Sequence, residues 1–182
     1  MNNIENVLKF LFEEPIKEFH IRLLARLTKL NPNTIINLTD KLVEEGLIIK
    51  YKNKDNKLCV IKANTQNSYY KLKKQFYNIE KIFRSGLIDY LNENLSYPAV
   101  ILFGSYTKAE NHSGSDIDLF IISEEKKKLD LKIYKNKLNA EIQLFVHTKK
   151  EFNKLKNTSP ELINNVLNGY KLTGYLEVFD GF

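Results

Sequence analysis

Ile101-Leu-Phe-Gly104-Ser105-Tyr-Thr-Lys108, followed closely by Ser115-Asp116-Ile-Asp118-Leu119, is the stretch on which the reading of this chain turns. The apolar run Ala99-Val-Ile-Leu-Phe103 reads as a buried strand that leads straight into Gly104-Ser105. A second apolar run (Ile117, Leu119, Phe120, Ile121, Ile122) encloses the two aspartates. Side chains two apart on a strand share a face, so Asp116 and Asp118 point the same way. Two neighbouring carboxylates repel, and a sheet gains nothing from them unless a cation sits between. Hard divalent ions such as Mg²⁺ favour oxygen ligands of that kind. A Gly-Ser turn at a strand end adds backbone N–H groups and a hydroxyl that approach phosphate closely. Together these residues imply a metal-assisted nucleotide site.

The pattern of strand, Gly-Ser, short helix and Asp-x-Asp on the next strand resembles the DNA polymerase β-like nucleotidyltransferase superfamily, and within it the minimal nucleotidyltransferases. Leu102-Phe-Gly-Ser-Tyr-Thr-Lys108 and Ser115-Asp-Ile-Asp-Leu119 carry the resemblance, which extends over roughly residues 85 to 175. The ending Ser159-Pro-Glu-Leu-Ile…Asn168-Gly-Tyr-Lys-Leu-Thr-Gly174 is similar to that family's closing helix and turn. The resemblance implies a third carboxylate on a later strand. Glu141, in the alternating run Ala140-Glu-Ile-Gln-Leu-Phe-Val146, is the candidate. Ala109 stands where many members carry a glycine, which predicts a helical rather than an open turn there.

Composition is that of an ordinary globular protein, with 182 residues, 43% apolar and 27% charged. The single Cys59 leaves no intrachain disulfide, and Lys57-Leu-Cys-Val-Ile61 reads as a strand that buries it. The N-terminus lacks the basic region and small-residue cleavage site of a leader, and no apolar run reaches the roughly 20 residues of a membrane span. A cytoplasmic protein is expected. The net charge of +6 is spread as +3 over residues 1–65, +2 over 66–96 and +1 over 97–182. Lysine clusters at positions 50–57 and 126–128 would attract anionic partners, and equally suit a solvated face.

The first 65 residues read as a different module. Ile4, Val7, Leu8 and Leu11 repeat at helical spacing up to Pro15, and Ile21, Leu24, Ala25 and Leu27 form a second helical stretch. A third helix is expected from Asn31-Pro32 to Gly46 with Ile35, Leu38 and Leu42 inward. Leu47–Tyr51 and Lys57–Ile61 flank Asn53-Lys-Asp-Asn56 as a hairpin with a polar tip. Three helices and a hairpin in that order resemble a winged helix-turn-helix. That resemblance implies DNA contacts from Asn33, Thr34, Asn37 and Lys41 on the third helix, and from Lys52 and Lys54 on the wing. Asp40, Glu44 and Glu45 would oppose them, and such modules also serve in association, so both roles stay open.

Residues 66–94 read as one long helix with Tyr69, Leu72, Phe76, Ile79, Phe83 and Leu87 at three- and four-residue steps. That stripe suits either a connector packed on both modules or a homodimer seam. The expected class is therefore α+β: a winged helix-turn-helix over 1–65, a connecting helix over 66–94, and a mixed-sheet nucleotidyltransferase domain over 95–182.

The resemblance implies an enzyme that binds a nucleoside triphosphate over Gly104, Ser105 and Lys108. Asp116, Asp118 and Glu141 would hold two Mg²⁺ ions. A nucleoside monophosphate, AMP from ATP foremost, would move to a hydroxyl acceptor. In antitoxin-type members that acceptor is a partner protein. The alternative is a winged-helix DNA-binding regulator whose C-terminal domain only binds nucleotide. His112, in the loop Glu110-Asn-His-Ser-Gly-Ser115 beside the motif, suits either a substrate contact or a solvated loop; His20 and His147 lack partners at ligand spacing, and no zinc site is assigned.

Overall fold

A computed structural model describes residues 2–54 and 57–179. Asp55 and Asn56, half of the expected hairpin tip, lie outside the described residues. The chain divides into two compact units, Met1–Tyr77 and Asn78–Phe182.

The first unit opens with α1 (Asn3–Glu13), β1 (Phe19–His20), α2 (Ile21–Thr28) and α3 (Pro32–Glu44), followed by β2 (Ile48–Lys52) and β3 (Cys59–Ala63). Local chemistry sets these boundaries. Asn2 accepts the Glu5 N–H at 2.8 Å while the Glu5 carboxylate accepts the Asn2 N–H at 2.9 Å, a reciprocal cap on α1. Asn31 caps α3 with Pro32 in its first turn. The three strands form an antiparallel sheet in the order β1-β3-β2. Leu11, Leu24, Ile35, Leu42, Leu47 and Ile61 are fully buried against one another. Thr39, also fully buried, fills the α3 interior with its hydroxyl donated to the Ile35 carbonyl at 2.7 Å. Tyr70 enters this core from α4 (Ser68–Ser85) and donates to the Leu11 carbonyl at 2.8 Å.

Residues 66–94 are not the single helix expected. α4 stops at Ser85, and α5 (Leu87–Asn94) starts after Gly86, which takes a left-handed φ of 81°. The Ser85 hydroxyl donates to the Ile82 carbonyl at 2.6 Å and accepts the Leu87 N–H at 3.1 Å, closing one helix and capping the next. The apolar period runs through the break unchanged, which is why the sequence alone conceals it.

In the second unit, β4 (Ala99–Phe103), α6 (Ser105–Lys108), β5 (Ile117–Ile122), α7 (Lys132–Leu138), β6 (Ile142–His147), α8 (Lys149–Thr158), α9 (Pro160–Leu167) and β7 (Tyr170–Thr173) follow α5. The sheet order is β6-β5-β4-β7, with β5 and β6 parallel and the other pairs antiparallel. β4 is flanked on both sides, and every residue of it is buried. On one face Val100, Leu102, Leu119 and Ile121 pack with Leu87 and Leu91 of α5 and Leu138 of α7. On the other, Ile101, Phe103 and Phe120 pack with Phe152 of α8 and Ile163 and Val166 of α9. The ending is more than a closing helix and turn. Residues 170–173 form the fourth strand, pairing with β4, although Tyr170 and Lys171 face solvent. Pairing with a central strand, rather than apolar content, makes that segment a strand.

No helix among the described residues is long and apolar enough to cross a membrane.

Candidate functional site

The two motifs meet at one end of the β4–β5 pair. In the antiparallel register Phe103 lies opposite Asp118, so the residue after Phe103 is brought against that carboxylate. Gly104 there has φ 75° and ψ −148°, a region closed to side-chain-bearing residues. A Cβ on Gly104 would stand 2.5 Å from Asp118 Oδ2. Glycine is thus required twice, for the backbone turn and for the space that the carboxylate fills. Ser105 starts α6 half-buried, and Thr107 Oγ1 ties back to the Gly104 carbonyl at 2.8 Å. Lys108, in the last residue of α6, is exposed.

Ala109 departs from the expected helical turn. It takes a left-handed φ of 58° and ψ of 28° at the end of α6, with its methyl buried. The chain therefore turns open here as a glycine would, and the residue bears the cost of roughly 1–2 kcal/mol for a non-glycine in that region.

The loop after Ala109 is fixed from within the unit. Asn78 and Asn111, both buried, exchange amide hydrogen bonds of 2.8 and 3.2 Å, and Asn78 also donates to the Tyr106 carbonyl at 2.9 Å. His112 and Ser115 close the turn: the His112 N–H donates to Ser115 Oγ and the Ser115 N–H to the His112 carbonyl, both at 3.0 Å. This delivers Asp116 to the start of β5. Nothing in the sequence marked Asn78 for this task, because an asparagine in a helix carries no motif.

Asp116 and Asp118 share a face of the sheet, as their spacing requires. Burial, and then the neighbouring Asp116 charge, raise the Asp118 carboxyl above the ordinary aspartate range. Such a pair costs free energy unless positive charge arrives.

Glu141 falls just before β6, one step beyond the paired residues Ile117 and Ile142, so the register sets it beside Asp116. Its carboxylate, however, pairs with Lys135 of α7. Gln143 is the β6 residue that reaches the aspartates: it lies opposite Asp118, and its Nε2 donates to Asp116 Oδ2 at 2.5 Å. The expected three-carboxylate set is therefore not assembled. Among the described residues no group of three or more histidine, cysteine or acidic side chains is gathered to hold a metal ion. The physical reason is local: Lys135, six residues upstream on α7, offers Glu141 an opposite charge, whereas Asp116 offers a like one. Alternation identifies Glu141 and Gln143 as sharing a face, but only the folded crossover brings Lys135 to that end. Glu141 and Lys135 also line an open depression of about 460 Å³ with Leu129, Asp130, Leu131, Lys132 and Asn136.

The remaining candidates lie on other elements. In the first unit Asn33, Asn37 and Lys41 are exposed on α3, with Thr34 half-buried, and Lys52 and Lys54 are exposed on the hairpin. Lys50 is engaged with Asp40 of α3 at 2.6 Å. His20 Nδ1 lies 3.3 Å from the Cys59 carbonyl, and His147 stacks on Phe120 with ring centroids 5.1 Å apart.

Residues 85–173 match the family model described as Polymerase beta, Nucleotidyltransferase. The match covers just under half of the chain and runs from the end of α4 to β7, so it contains every element of the sheet. It supports a nucleotidyltransferase domain of the DNA polymerase β-like superfamily in this segment, and with it nucleotidyl transfer as the general activity. No curated protein and no solved structure matches the chain.

Proposed function

We propose that the second unit is a magnesium-dependent nucleotidyltransferase that moves a nucleoside monophosphate, AMP from ATP foremost, onto a hydroxyl acceptor. The observation that carries this reading is the apposition of Gly104 and Asp118: the glycine turn and an aspartate carboxylate meet within one side chain's width. The donor set fits a divalent cation. Asp116 and Asp118 are hard oxygen ligands on one face, and the raised Asp118 carboxyl marks a site that gains from positive charge. Asp116 and Asp118 would hold the metal, with Glu141 as a third ligand once released from Lys135. Bound there, magnesium neutralises phosphate charge and makes the acceptor hydroxyl more acidic.

The chain's own residues orient the rest. The Gly104-Ser105 turn would offer its backbone N–H groups to the triphosphate beside the Asp118 carboxylate, and Lys108 would supply a point charge to its outer phosphates. The acceptor oxygen bonds to the α-phosphorus as the bond to the bridging oxygen breaks, and pyrophosphate leaves. The depression beside Glu141 is where the acceptor, a partner protein's hydroxyl or a smaller molecule, would approach.

Incubation of the full chain with each α-labelled nucleoside triphosphate and Mg²⁺, with and without cell lysate, tests the proposal. Label should pass to an acceptor, ATP being the best donor, and Asp116→Asn and Asp118→Asn should each abolish transfer. Full activity of Glu141→Gln would remove the third ligand from the scheme.

A second reading concerns the first unit, where the order α1-β1-α2-α3-β2-β3, with the three strands in one antiparallel sheet, favours a winged helix. We infer a DNA contact through Asn33, Asn37 and Lys41, with Lys52 and Lys54 on phosphate. It would make the chain a regulator that binds nucleotide without transferring it. Salt-sensitive DNA binding weakened by Lys52→Ala and Lys54→Ala, together with no label transfer, would establish this alternative over the enzyme.

A further inference from the structure

Helix α4 carries an apolar stripe opposite the side that its own chain buries. Tyr70, Lys74, Asn78, Ile82 and Ser85 are buried. Tyr69, Leu72, Phe76 and Phe83 are 46%, 42%, 63% and 45% exposed. With Ile79, half-buried against the second unit's core, these residues have the spacing 3-4-3-4, the a and d positions of a heptad. At 3.6 residues per turn these five positions fall within about 80° of arc, centred about 160° from the buried set. A row of large apolar side chains left on the outer side of a helix is a surface for another element to cover.

The residues bordering the stripe say what covers it. On one flank, Lys73 and Glu80 occupy successive e positions, Lys73 lying over the Tyr69 ring and Glu80 bridged to the exposed Arg84 at 2.7 Å, contacts that a second copy would exchange for its own; the other flank presents the uncharged Ser68 and Gln75. In a parallel pair of such helices Lys73 and Glu80 would face Ser68 and Gln75, and no opposite charges would meet. In an antiparallel pair e faces e, so each Lys73 meets the Glu80 of the other copy and both bridges form by symmetry.

We propose that this protein is a homodimer in which two α4 helices pack antiparallel about a two-fold axis near Phe76 and Tyr77, with Lys73–Glu80 bridges closing the seam. A second copy fits this face because the helix is complementary to itself in charge as well as in apolar spacing. The seam is independent of the reaction assigned to the second unit.

Sedimentation of the full chain should give twice the 21.3 kDa chain mass at micromolar concentration. Phe76→Glu places charge at an exposed position, so the chain should keep its far-UV circular dichroism and sediment as a monomer. Lys73→Glu or Glu80→Lys alone should weaken association at least about tenfold, and the double exchange should restore it to within about threefold. Orientation is read by disulfide trapping in a Cys59→Ser background. Lys73→Cys chains should cross-link to Glu80→Cys chains. Tyr69→Cys chains should not link to each other, since the antiparallel pair holds those positions about 22 Å apart along the axis. A monomeric wild type, a dimer indifferent to Phe76→Glu, or Tyr69→Cys self-linkage would each overturn the proposal.

Discussion

The first unit and the acidic end of the second unit's sheet follow opposite rules. In most of the first unit local preferences and the fold agree: Asn2 and Glu5 cap α1, Asn31-Pro32 opens α3, and fully buried aliphatic residues meet in one core, with left-handed Lys29 and Lys57 confined to turns. At the end of β4 and β5 they conflict. Gly104 sits in a conformation only glycine adopts, Ala109 takes a left-handed turn with a methyl group, and two aspartates share a face. Sequences that specify one fold satisfy local rules almost everywhere, and the places where they do not are where the chain serves something other than stability. Left-handed non-glycine residues also occur at Lys29, Lys57, Ser96, Tyr97 and Asn139, so what sets this end of the sheet apart is that Gly104, Ala109 and the aspartate pair come together in it.

The largest effect should come from Asp118→Asn. Transfer activity, followed with labelled triphosphate, should fall at least about a hundredfold, as expected for loss of a metal ligand. The same change should raise Tm at neutral pH. A carboxyl raised in the folded state favours protonation there, so its ionisation destabilises the fold as pH rises through that raised value. A neutral amide removes the penalty, and a variant that loses both activity and stability would break the contrast drawn here.

Gly104→Ala should come next. The strained backbone and the collision with Asp118 together should cost about 1–3 kcal/mol in denaturant unfolding, and nucleotide binding should be lost with it. Asn31→Ala is its counterpart in the first unit. It should cost about 1 kcal/mol through the lost cap and leave nucleotide binding unchanged.

Ala109→Gly should change stability by less, in the range of about 1 kcal/mol in either direction, because relief of the left-handed turn opposes loss of a buried methyl. Smallest is a pH effect far from the acidic pair. Hydrogen bonds from Lys126 and the Thr148 N–H hold the Glu151 carboxyl down at about 2 from its ordinary 4.5. Its contribution is present above pH 4.5 and is lost as pH falls toward 2, and Glu151→Gln should flatten that part of the acid-unfolding profile.

Much of the architecture is legible in the residues because it rests on short-range signals. The strands β4 and β5 lie where apolar runs predict them, the second interrupted only by Asp118, and α3 begins at the Asn31-Pro32 signal. The break at Gly86 escapes a periodicity argument because the apolar stripe continues through it, and β7 escapes because Tyr170 and Lys171 are exposed and polar company alone would make them a loop.

Determined by the sequence alone, then, are the pieces whose physics is local: the Gly104-Ser105 turn, the shared face of Asp116 and Asp118, the helix caps and the heptad spacing along α4. Decided only by the tertiary structure are the partners. The β5–β6 register hands Asp116 to Gln143, the α7 crossover hands Glu141 to Lys135, and burial of Tyr70, Asn78 and Ile82 leaves Phe76 and its neighbours facing outward. A side chain's spacing is set by the bonds on either side of it, whereas its company is set by residues tens of positions away, which only the closed sheet and packed helices bring near.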